Sequence, residues 1–378
     1  MNFKIIMIYL VFFQMLNATL YWGIYIPPII NVSFLFMAIA YFFIAYHHLF
    51  LRNRLALYSL IYIILLFLTL TINDVNFHSI ARCIAPIIMI TIIEKRDYKY
   101  LKPIFYILLI FFILNAVIAI YERITMSYFL PIKANDNIME DQAVGMIYTY
   151  GDEGFRAFAL LGHPLTNANI MAYMSFCFYF CNILNRKFRV GLLLLGYASL
   201  FAFNARGAIL IMTLLLVPIT FIYLKTTKNK FITLVVLGLI LYFGITYFNV
   251  FAGRLVSGEI KDDSSMVRIL AVREFLSLDW STLLMGGHKP TYGENGYLMT
   301  IEVYGLIVGG YKIFFELFFG YKIIPPIKTL FKVILILSVI GIGSTNNNLF
   351  YAKVFPFYIL SVLFILISQR YETNKRIV

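Results

Sequence analysis

Charged residues are scarce in this sequence: Asp, Glu, Lys and Arg make up 13% of its 378 residues, whereas hydrophobic residues make up 62%. Because soluble domains carry about 25% charged residues, this composition excludes a soluble globular protein. Negatively charged residues are fewer than positively charged ones, with 18 Asp and Glu against 31 Lys and Arg. No polar stretch is long enough for a separate soluble domain, so we expect a single transmembrane domain over residues 1–378.

Metal-binding residues are also few. The chain has three cysteines and five histidines, no Asp-x-Asp sequence, and no His or Cys cluster at the spacing of metal ligands. This pattern argues against a bound metal, and we predict no cofactor. The cysteines lie in apolar segments, where we expect buried thiols rather than a disulfide.

Apolar stretches of membrane-spanning length are abundant. A bilayer core of about 30 Å needs roughly 20 apolar residues per helix, and such stretches recur from end to end. They predict an all-α polytopic integral membrane protein with about twelve transmembrane helices. The predicted helices lie at 4–22, 29–46, 55–72, 79–93, 103–121, 167–184, 190–204, 208–224, 231–250, 295–318, 329–345 and 354–368. The first has no small-residue cleavage site after it, so we interpret it as a retained helix and not a signal peptide.

Basic residues orient these helices, because Lys and Arg in short loops stay on the cytoplasmic side of a membrane. If both termini are cytoplasmic, every cytoplasmic connection is basic: HHLFLRNR, EKRDYKYLK, NRKFR, KTTKNK, KIIPPIK and the tail SQRYETNKRIV. Of the acidic residues, only Glu94, Asp97, Glu316 and Glu372 fall on that side. The net charge of +13 is therefore mainly a topology signal, and we do not expect nucleic-acid binding.

Two outward connections, at residues 122–166 and 251–294, are much longer than the others. Long loops in compact folds are usually functional or disordered. The first ends in GDEGFRAFALLGHPLTN, and the second contains SSMVRILAVREFLSLDW, whose apolar positions repeat at helical spacing after a serine cap. We therefore expect an amphipathic helix in the second loop, on the outer membrane surface or over a cleft.

Arginines from separate segments are predicted to converge at the outer rim: Arg82, Arg156, Arg206 and Arg268. Such a cluster suits a lipid diphosphate, because planar guanidinium groups bind phosphate oxygens through paired hydrogen bonds and stay charged. The alternative is that each arginine only extends to lipid headgroups.

Four stretches, in this order, resemble the O-antigen polymerase and O-antigen ligase superfamily. They are RAFALLGHPLTNA, NARGAIL, SSMVR with LLMGGH, and ENGYLMTIEVYGLIVG. The resemblance implies a GT-C-like, metal-independent, inverting glycosyltransferase with two large periplasmic loops, acting on the outer leaflet of the bacterial inner membrane. It implies as partners an undecaprenyl-diphosphate-linked oligosaccharide, membrane lipids and a chain-length regulator protein.

The same resemblance assigns roles to individual residues. Arg156 and Arg206 match the diphosphate-binding arginines of the family, and Arg268 matches a recurrent arginine of the second loop. Ligases tend to have a histidine where this chain has Glu294, which favours a polymerase over a ligase. A flippase or another transporter is the remaining alternative. Against it, the sequence shows no repeated halves and no sign of polar groups or broken helices near the midplane.

The candidate catalytic bases are Glu294, His163 and His288. Glu294 would begin a helix at the outer rim, where it either accepts the proton of the attacking hydroxyl or only caps the helix. Glu302 lies about two turns into that helix and needs a partner if it is buried. We expect a structural pairing of Glu302 with Arg82 or Arg206 rather than a catalytic role.

Overall fold

The computed structural model describes residues 3–52, 54–73, 84–85, 87–89, 91–130, 155–181, 183–226, 263–291 and 295–323, and short stretches within 234–245 and 332–341. These residues form helices, turns and loops, and none of them is in a strand, which confirms the all-α class. The longer helices are α1 (Phe3–Thr19), α2 (Pro28–Arg52), α3 (Arg54–Asn73), α4 (Tyr98–Thr125), α5 (Pro164–Phe180), α6 (Arg186–Ala202), α7 (Arg206–Thr226), α8 (Asp263–Leu276), α9 (Trp280–Met285) and α10 (Gly296–Ile323).

Within this part of the chain, three helices are long and apolar enough to cross a membrane: Ile29–His48, Tyr98–Thr125 and Gly296–Phe315. The described positions within 84–92, 234–245 and 332–341 are also helical, at three places where the sequence predicts further helices. The predicted helix at 354–368 lies outside the described residues. The total of about twelve transmembrane helices therefore stays a prediction.

Three helix starts precede the predicted ones by three or more residues, and one of them is α6, which begins at Arg186 instead of residue 190 because Asn185 caps it. Helix α5 begins at Pro164 instead of residue 167, because proline fits the first turn of a helix and His163 caps it. Helix α4 begins at Tyr98 instead of residue 103. Pro103 lies in its second turn, where the missing N–H leaves one helical hydrogen bond unmade without ending the helix.

The core is built around α5, whose side chains are buried along nearly its whole length. Both α4 and α6 pack against it. The Phe178 ring meets Phe105 and Phe112 of α4 edge-on, with ring centroids 5.7 and 5.3 Å apart. Helix α6 packs closely on it at Gly196, where a Cβ would overlap the Ser175 hydroxyl. Small residues at such contacts let membrane helices pack tightly.

The helix ends separate into two groups at opposite ends of this bundle. At one, the Lys4 end, the buried Lys4 ammonium donates to Asp97 Oδ2 at 2.6 Å, which joins the start of α1 to the start of α4. At the other, the Arg156 end, the Tyr21 N–H after α1 donates to Leu160 O at 2.8 Å. The Lys4 end thus includes connections that the charge pattern assigns to the cytoplasm, and the Arg156 end includes outward ones.

Candidate functional site

The segment Phe155–His163, which carries Arg156 and His163, is tied to α4 by one buried carboxylate. Glu122 is 1% exposed, and its Oε2 accepts hydrogen bonds from the N–H groups of Phe158 at 2.7 Å and Ala159 at 2.9 Å. Its Oε1 accepts from Phe129 N–H at 3.0 Å. A carboxylate that accepts several backbone N–H groups is well satisfied without a basic partner.

Two buried asparagines satisfy more of the backbone of this segment. Asn115 Oδ1 accepts a hydrogen bond from Leu160 N–H at 3.0 Å. Asn115 and Glu122 therefore bind this segment from the same face of α4. Asn167 Nδ2 of α5 donates to the carbonyl oxygens of Phe158 at 2.6 Å and His163 at 3.1 Å. The segment therefore has a fixed backbone even though it is largely irregular.

Side chains around Phe155 complete this support. Arg123 Nη1 donates to Phe155 O at 2.8 Å. The Tyr128 ring stacks on Phe155 and Phe158, with ring centroids 5.2 and 4.6 Å apart. Arg156 therefore projects from a backbone that is held on both sides, which reduces the conformational freedom that binding would otherwise remove.

His163 caps the start of α5. Gly162 before it has φ 67°, and a Cβ there would overlap the Tyr21 ring, so only glycine fits. His163 Nδ1 accepts from Thr166 N–H at 3.4 Å, which places the proton of the neutral ring on Nε2. Burial and the nearby Arg156 guanidinium lower the pKa of His163. This geometry gives His163 a capping role, and its action as a base stays a prediction.

The structure brings the Arg156 and Arg206 motifs together. Ala157 N–H donates to Ala202 O at 3.1 Å, joining the first motif to the last residue of α6. The chain then turns through Asn204, at φ 49°, and α7 begins at Arg206. Both arginines are half-buried. Two of the four predicted arginines therefore lie on adjoining backbone at one end of the bundle.

The remaining predicted residues are only partly accounted for. The helix expected in the second loop is present as α8, which includes Arg268. On α8, Ala271 is buried while Leu276 is 75% exposed. Arg82 and Glu294 lie outside the described residues. The convergence of Arg82 and Arg268 with the other arginines therefore stays a prediction, as does the amphipathic placement of α8.

Helix α10 is broken at Gly305, which has φ 78° and ψ 164°. The carbonyls of Glu302 and Val303 would accept hydrogen bonds from residues four positions later in a continuous helix. Here they accept instead from His288 N–H at 3.1 Å and Gly287 N–H at 3.0 Å. The segment after α9 therefore replaces part of the helical hydrogen bonding of α10.

Two glycines allow this close crossing. A Cβ on Gly286 would overlap the backbone of Gly305, and a Cβ on Gly305 would overlap Leu284 O. Gly286 also has a positive φ of 79°. The break lies inside Gly296–Phe315, a helix long and apolar enough to cross a membrane. The sequence-based expectation that the chain lacks a broken helix is therefore wrong.

Two ionisable side chains meet beside this break, and a third, Glu302, interacts with both electrostatically. His288 Nε2 lies 2.9 Å from Glu274 Oε1 of α8, and that oxygen also accepts from Thr291 N–H at 3.0 Å. Glu302 is 2% exposed, and its Oε1 has no hydrogen-bond partner in the part of the chain that the structure describes. Its charged neighbours there are Glu274 and His288.

The expected pairing of Glu302 with Arg206 is therefore wrong. Among the described residues the charged neighbours of Glu302 are Glu274 and His288, and Arg206 is not one of them. Its other expected partner, Arg82, lies outside the described residues.

Sequence reasoning missed the residues that support the site. Asn115 and Glu122 are two helical turns apart on one face of an apolar helix, and this spacing was a usable signal. Asn167 and Glu274 follow no such pattern. Their roles arise only when segments distant in sequence pack together.

These features define an all-helical protein with apolar helices long enough to cross a membrane and two clusters of polar side chains, one around Arg156 and one around Glu302. In comparisons of sequence, neither a known protein family nor a characterised protein matches this chain.

Proposed function

We propose that this chain is a membrane glycosyltransferase that polymerises undecaprenyl-diphosphate-linked oligosaccharide repeat units into O-antigen, capsular or exopolysaccharide. It acts at the outer leaflet of the bacterial inner membrane, with about twelve GT-C-like transmembrane helices and both termini in the cytoplasm. The Arg156 end then faces the periplasm, and a chain-length regulator protein is a candidate partner.

This proposal rests on one observation: Arg156 and Arg206 lie on neighbouring backbone segments at one end of the apolar bundle. Buried polar side chains hold the Arg156 segment in place. Ala157 and Ala202 join the two motifs through a hydrogen bond of 3.1 Å. A guanidinium group keeps its charge at the edge of the membrane and therefore favours anionic ligands there. Two guanidinium groups at the membrane surface can bind a lipid diphosphate, because the phosphates of such a lipid lie at the same level of the membrane.

The chemistry suits these residues. A diphosphate is a stable leaving anion, so it needs no general acid, but positive charge must stabilise it as the glycosidic bond breaks. Arg156 and Arg206 supply that charge, and one base accepts the proton of the attacking sugar hydroxyl. The reaction inverts the anomeric centre and needs no metal.

Analysis of surface polysaccharide in a deletion strain tests this proposal. We expect single repeats on the surface lipid after deletion, and full-length polymer after complementation with the wild-type chain. Loss of a phosphate-binding donor costs about 10²- to 10³-fold in rate, so Arg156→Ala and Arg206→Ala should fail to complement. Lysine at either position should restore little, because a point charge does not reproduce the paired hydrogen bonds of a guanidinium group.

A matched control is available at the other end of the bundle. The Arg96 side chain is 72% exposed and pairs with Glu94 at 2.7 Å at the Lys4 end. Arg96→Ala should complement fully. Equal polymer from Arg206→Ala at wild-type protein level would remove the support for the proposal.

Two alternatives make different predictions. A ligase, which transfers finished polymer to lipid A-core, uses the same donor, and its deletion leaves no repeats on the surface lipid. A transporter is favoured by one observation, the break of α10 at Gly305 beside the buried Glu302. Deletion of a flippase would also leave no repeats, but the repeat units would accumulate on the cytoplasmic leaflet.

A further inference from the structure

The cluster beside the break of α10 has a chemistry of its own. We propose that Glu274 positions His288 as the proton acceptor of the transfer reaction, with Nδ1 of the imidazole as the accepting atom and the buried Glu302 stabilising the charge that forms. This inference rests on the polymerase activity proposed above and names the group that takes the proton.

The hydrogen bonds of Glu274 determine which nitrogen of His288 is basic. Glu274 Oε1 accepts from Thr291 N–H at 3.0 Å and lies 2.9 Å from His288 Nε2. A carboxylate oxygen accepts, so the proton of the neutral imidazole is on Nε2. The lone pair is then on Nδ1, which is the atom able to accept a proton.

The backbone around His288 is fixed, as a catalytic group requires. Its N–H donates to Glu302 O at 3.1 Å, and the preceding Gly287 N–H donates to Val303 O at 3.0 Å. The close crossing at Gly305 leaves no space for this segment to move toward α10. The His288 side chain remains 30% exposed, which leaves part of the ring accessible.

Two carboxylates interact with the His288 ring. Glu274 contacts the imidazole directly, and Glu302 is the second carboxylate that interacts with it. Glu302 is 2% exposed and its Oε1 has no hydrogen-bond partner among the described residues, so its charge is little screened by solvent. The Glu274 carboxylate stabilises the imidazolium that forms during the transfer, and Glu302 adds a second negative charge near it.

The transfer forms one glycosidic bond and breaks another. The hydroxyl oxygen of the acceptor sugar forms a bond to the anomeric carbon of the donor. The bond from that carbon to the diphosphate oxygen breaks, and the diphosphate leaves with the electron pair. The hydroxyl proton passes to His288 Nδ1 and is later released to solvent.

The test uses the purified full chain in vesicles of phosphatidylethanolamine and phosphatidylglycerol. The substrate is the lipid-linked oligosaccharide extracted from the deletion strain, which accumulates it. We expect His288→Ala to lower kcat by about 10²- to 10⁴-fold with little change in KM, and added imidazole to restore part of the rate. Glu274→Gln should lower kcat by between about 10- and 10⁴-fold at unchanged KM. Glu274→Asp should recover part of this loss.

Controls separate a chemical from a structural effect. Lys289→Ala changes an exposed neighbour of His288 and should keep the wild-type kcat. His288→Gln keeps a side-chain N–H donor for Glu274 but has no basic nitrogen, so it should fold while remaining slow. The unfolding temperature of each variant is measured in the same vesicles.

The outcomes distinguish this inference from the proposed function. If wild type makes polymer, Arg206→Ala does not, and folded Glu274→Gln or His288→Gln keeps full kcat, the inference is overturned while the polymerase proposal stands. Loss of all activity in Glu294→Gln with full activity in His288→Gln would assign the base to Glu294. If folded wild-type chain makes no polymer from this substrate, the proposed function fails and the inference fails with it.

Discussion

At the residue scale, the Arg156 end depends on Glu122, because one buried side chain satisfies three backbone N–H groups. These belong to Phe129, Phe158 and Ala159. Leaving a buried N–H unpaired costs about 1–3 kcal/mol, so one substitution removes several contributions at once. Glu122 thus links the end of α4 to the position of Arg156.

We predict that Glu122→Leu lowers the thermal unfolding temperature strongly or prevents folding, and that Glu122→Gln, which keeps one acceptor oxygen, has a smaller effect. Tyrosine and tryptophan fluorescence of the purified chain in detergent measures this. Thr125→Ala, at an exposed side chain in the next turn of α4, should unfold near the wild-type temperature. An unfolding temperature for Glu122→Leu equal to that of wild type would contradict this account of the segment.

His163 makes stability depend on pH. Burial and the Arg156 guanidinium lower the pKa of His163 below its usual 6.5. Between the folded and unfolded pKa values the unfolded chain binds more protons, so the free energy of unfolding decreases as pH falls below about 6.5. His163→Asn keeps a capping side chain and removes the titration. Its unfolding temperature should therefore decrease less between pH 8 and pH 5 than that of wild type, and equal slopes would refute this role.

The residues that could be predicted from sequence are those whose chemistry contrasts with their surroundings. Arg156 and Arg206 stand out because cations among apolar segments are rare and need a partner. The partners of Glu302 could not be predicted, because His288 reaches it only through the crossing of α9 and α10. The sequence pattern places Glu122 in the first long loop, whereas the residue is buried on α4.

At the element scale, the break of α10 is the feature with the clearest sequence requirement. Gly305 has φ 78°, which residues other than glycine rarely adopt. It packs directly against the backbone of Leu284 and Met285. Gly310, in the same helix, has nothing within 4 Å of its Cβ position and is a matched control.

We predict that Gly305→Ala lowers the unfolding temperature and reduces polymer, because the substitution adds backbone strain and overlaps Leu284 O. Strained backbone of this kind costs about 1–3 kcal/mol before the overlap is counted. Gly310→Ala should be neutral or stabilising by up to about 1 kcal/mol. Equal unfolding temperatures for the two variants would show that the crossing is not required.

Most helices were predictable from sequence because a membrane helix needs a long apolar run, which is visible without any tertiary information. The ends of these helices were harder to predict from the sequence. The start of α5 is set by His163 and Pro164, and the break of α10 by a backbone crossing that no apolar pattern records.

At the scale of the whole molecule, the two ends of the bundle should face opposite sides of the membrane. Exposed residues mark each end: Ser127 follows α4 at the Arg156 end, and Lys99 lies at the start of α4 by the Lys4 end. In a chain without its native cysteines, we predict that Ser127→Cys reacts with a membrane-impermeant thiol reagent from outside and Lys99→Cys does not. The reverse pattern would invert the orientation and place the arginines in the cytoplasm.

The central claim is that Arg156 and Arg206 bind the diphosphate of a lipid-linked saccharide and support its polymerisation. The most direct test is the lengthening of this lipid-linked oligosaccharide by purified chain in vesicles, with EDTA present to remove metals. The account predicts a ladder of polymer from wild type and Arg96→Ala, and none from folded Arg156→Ala or Arg206→Ala. An unlengthened substrate with folded wild type, or an equal ladder from Arg206→Ala, would contradict it.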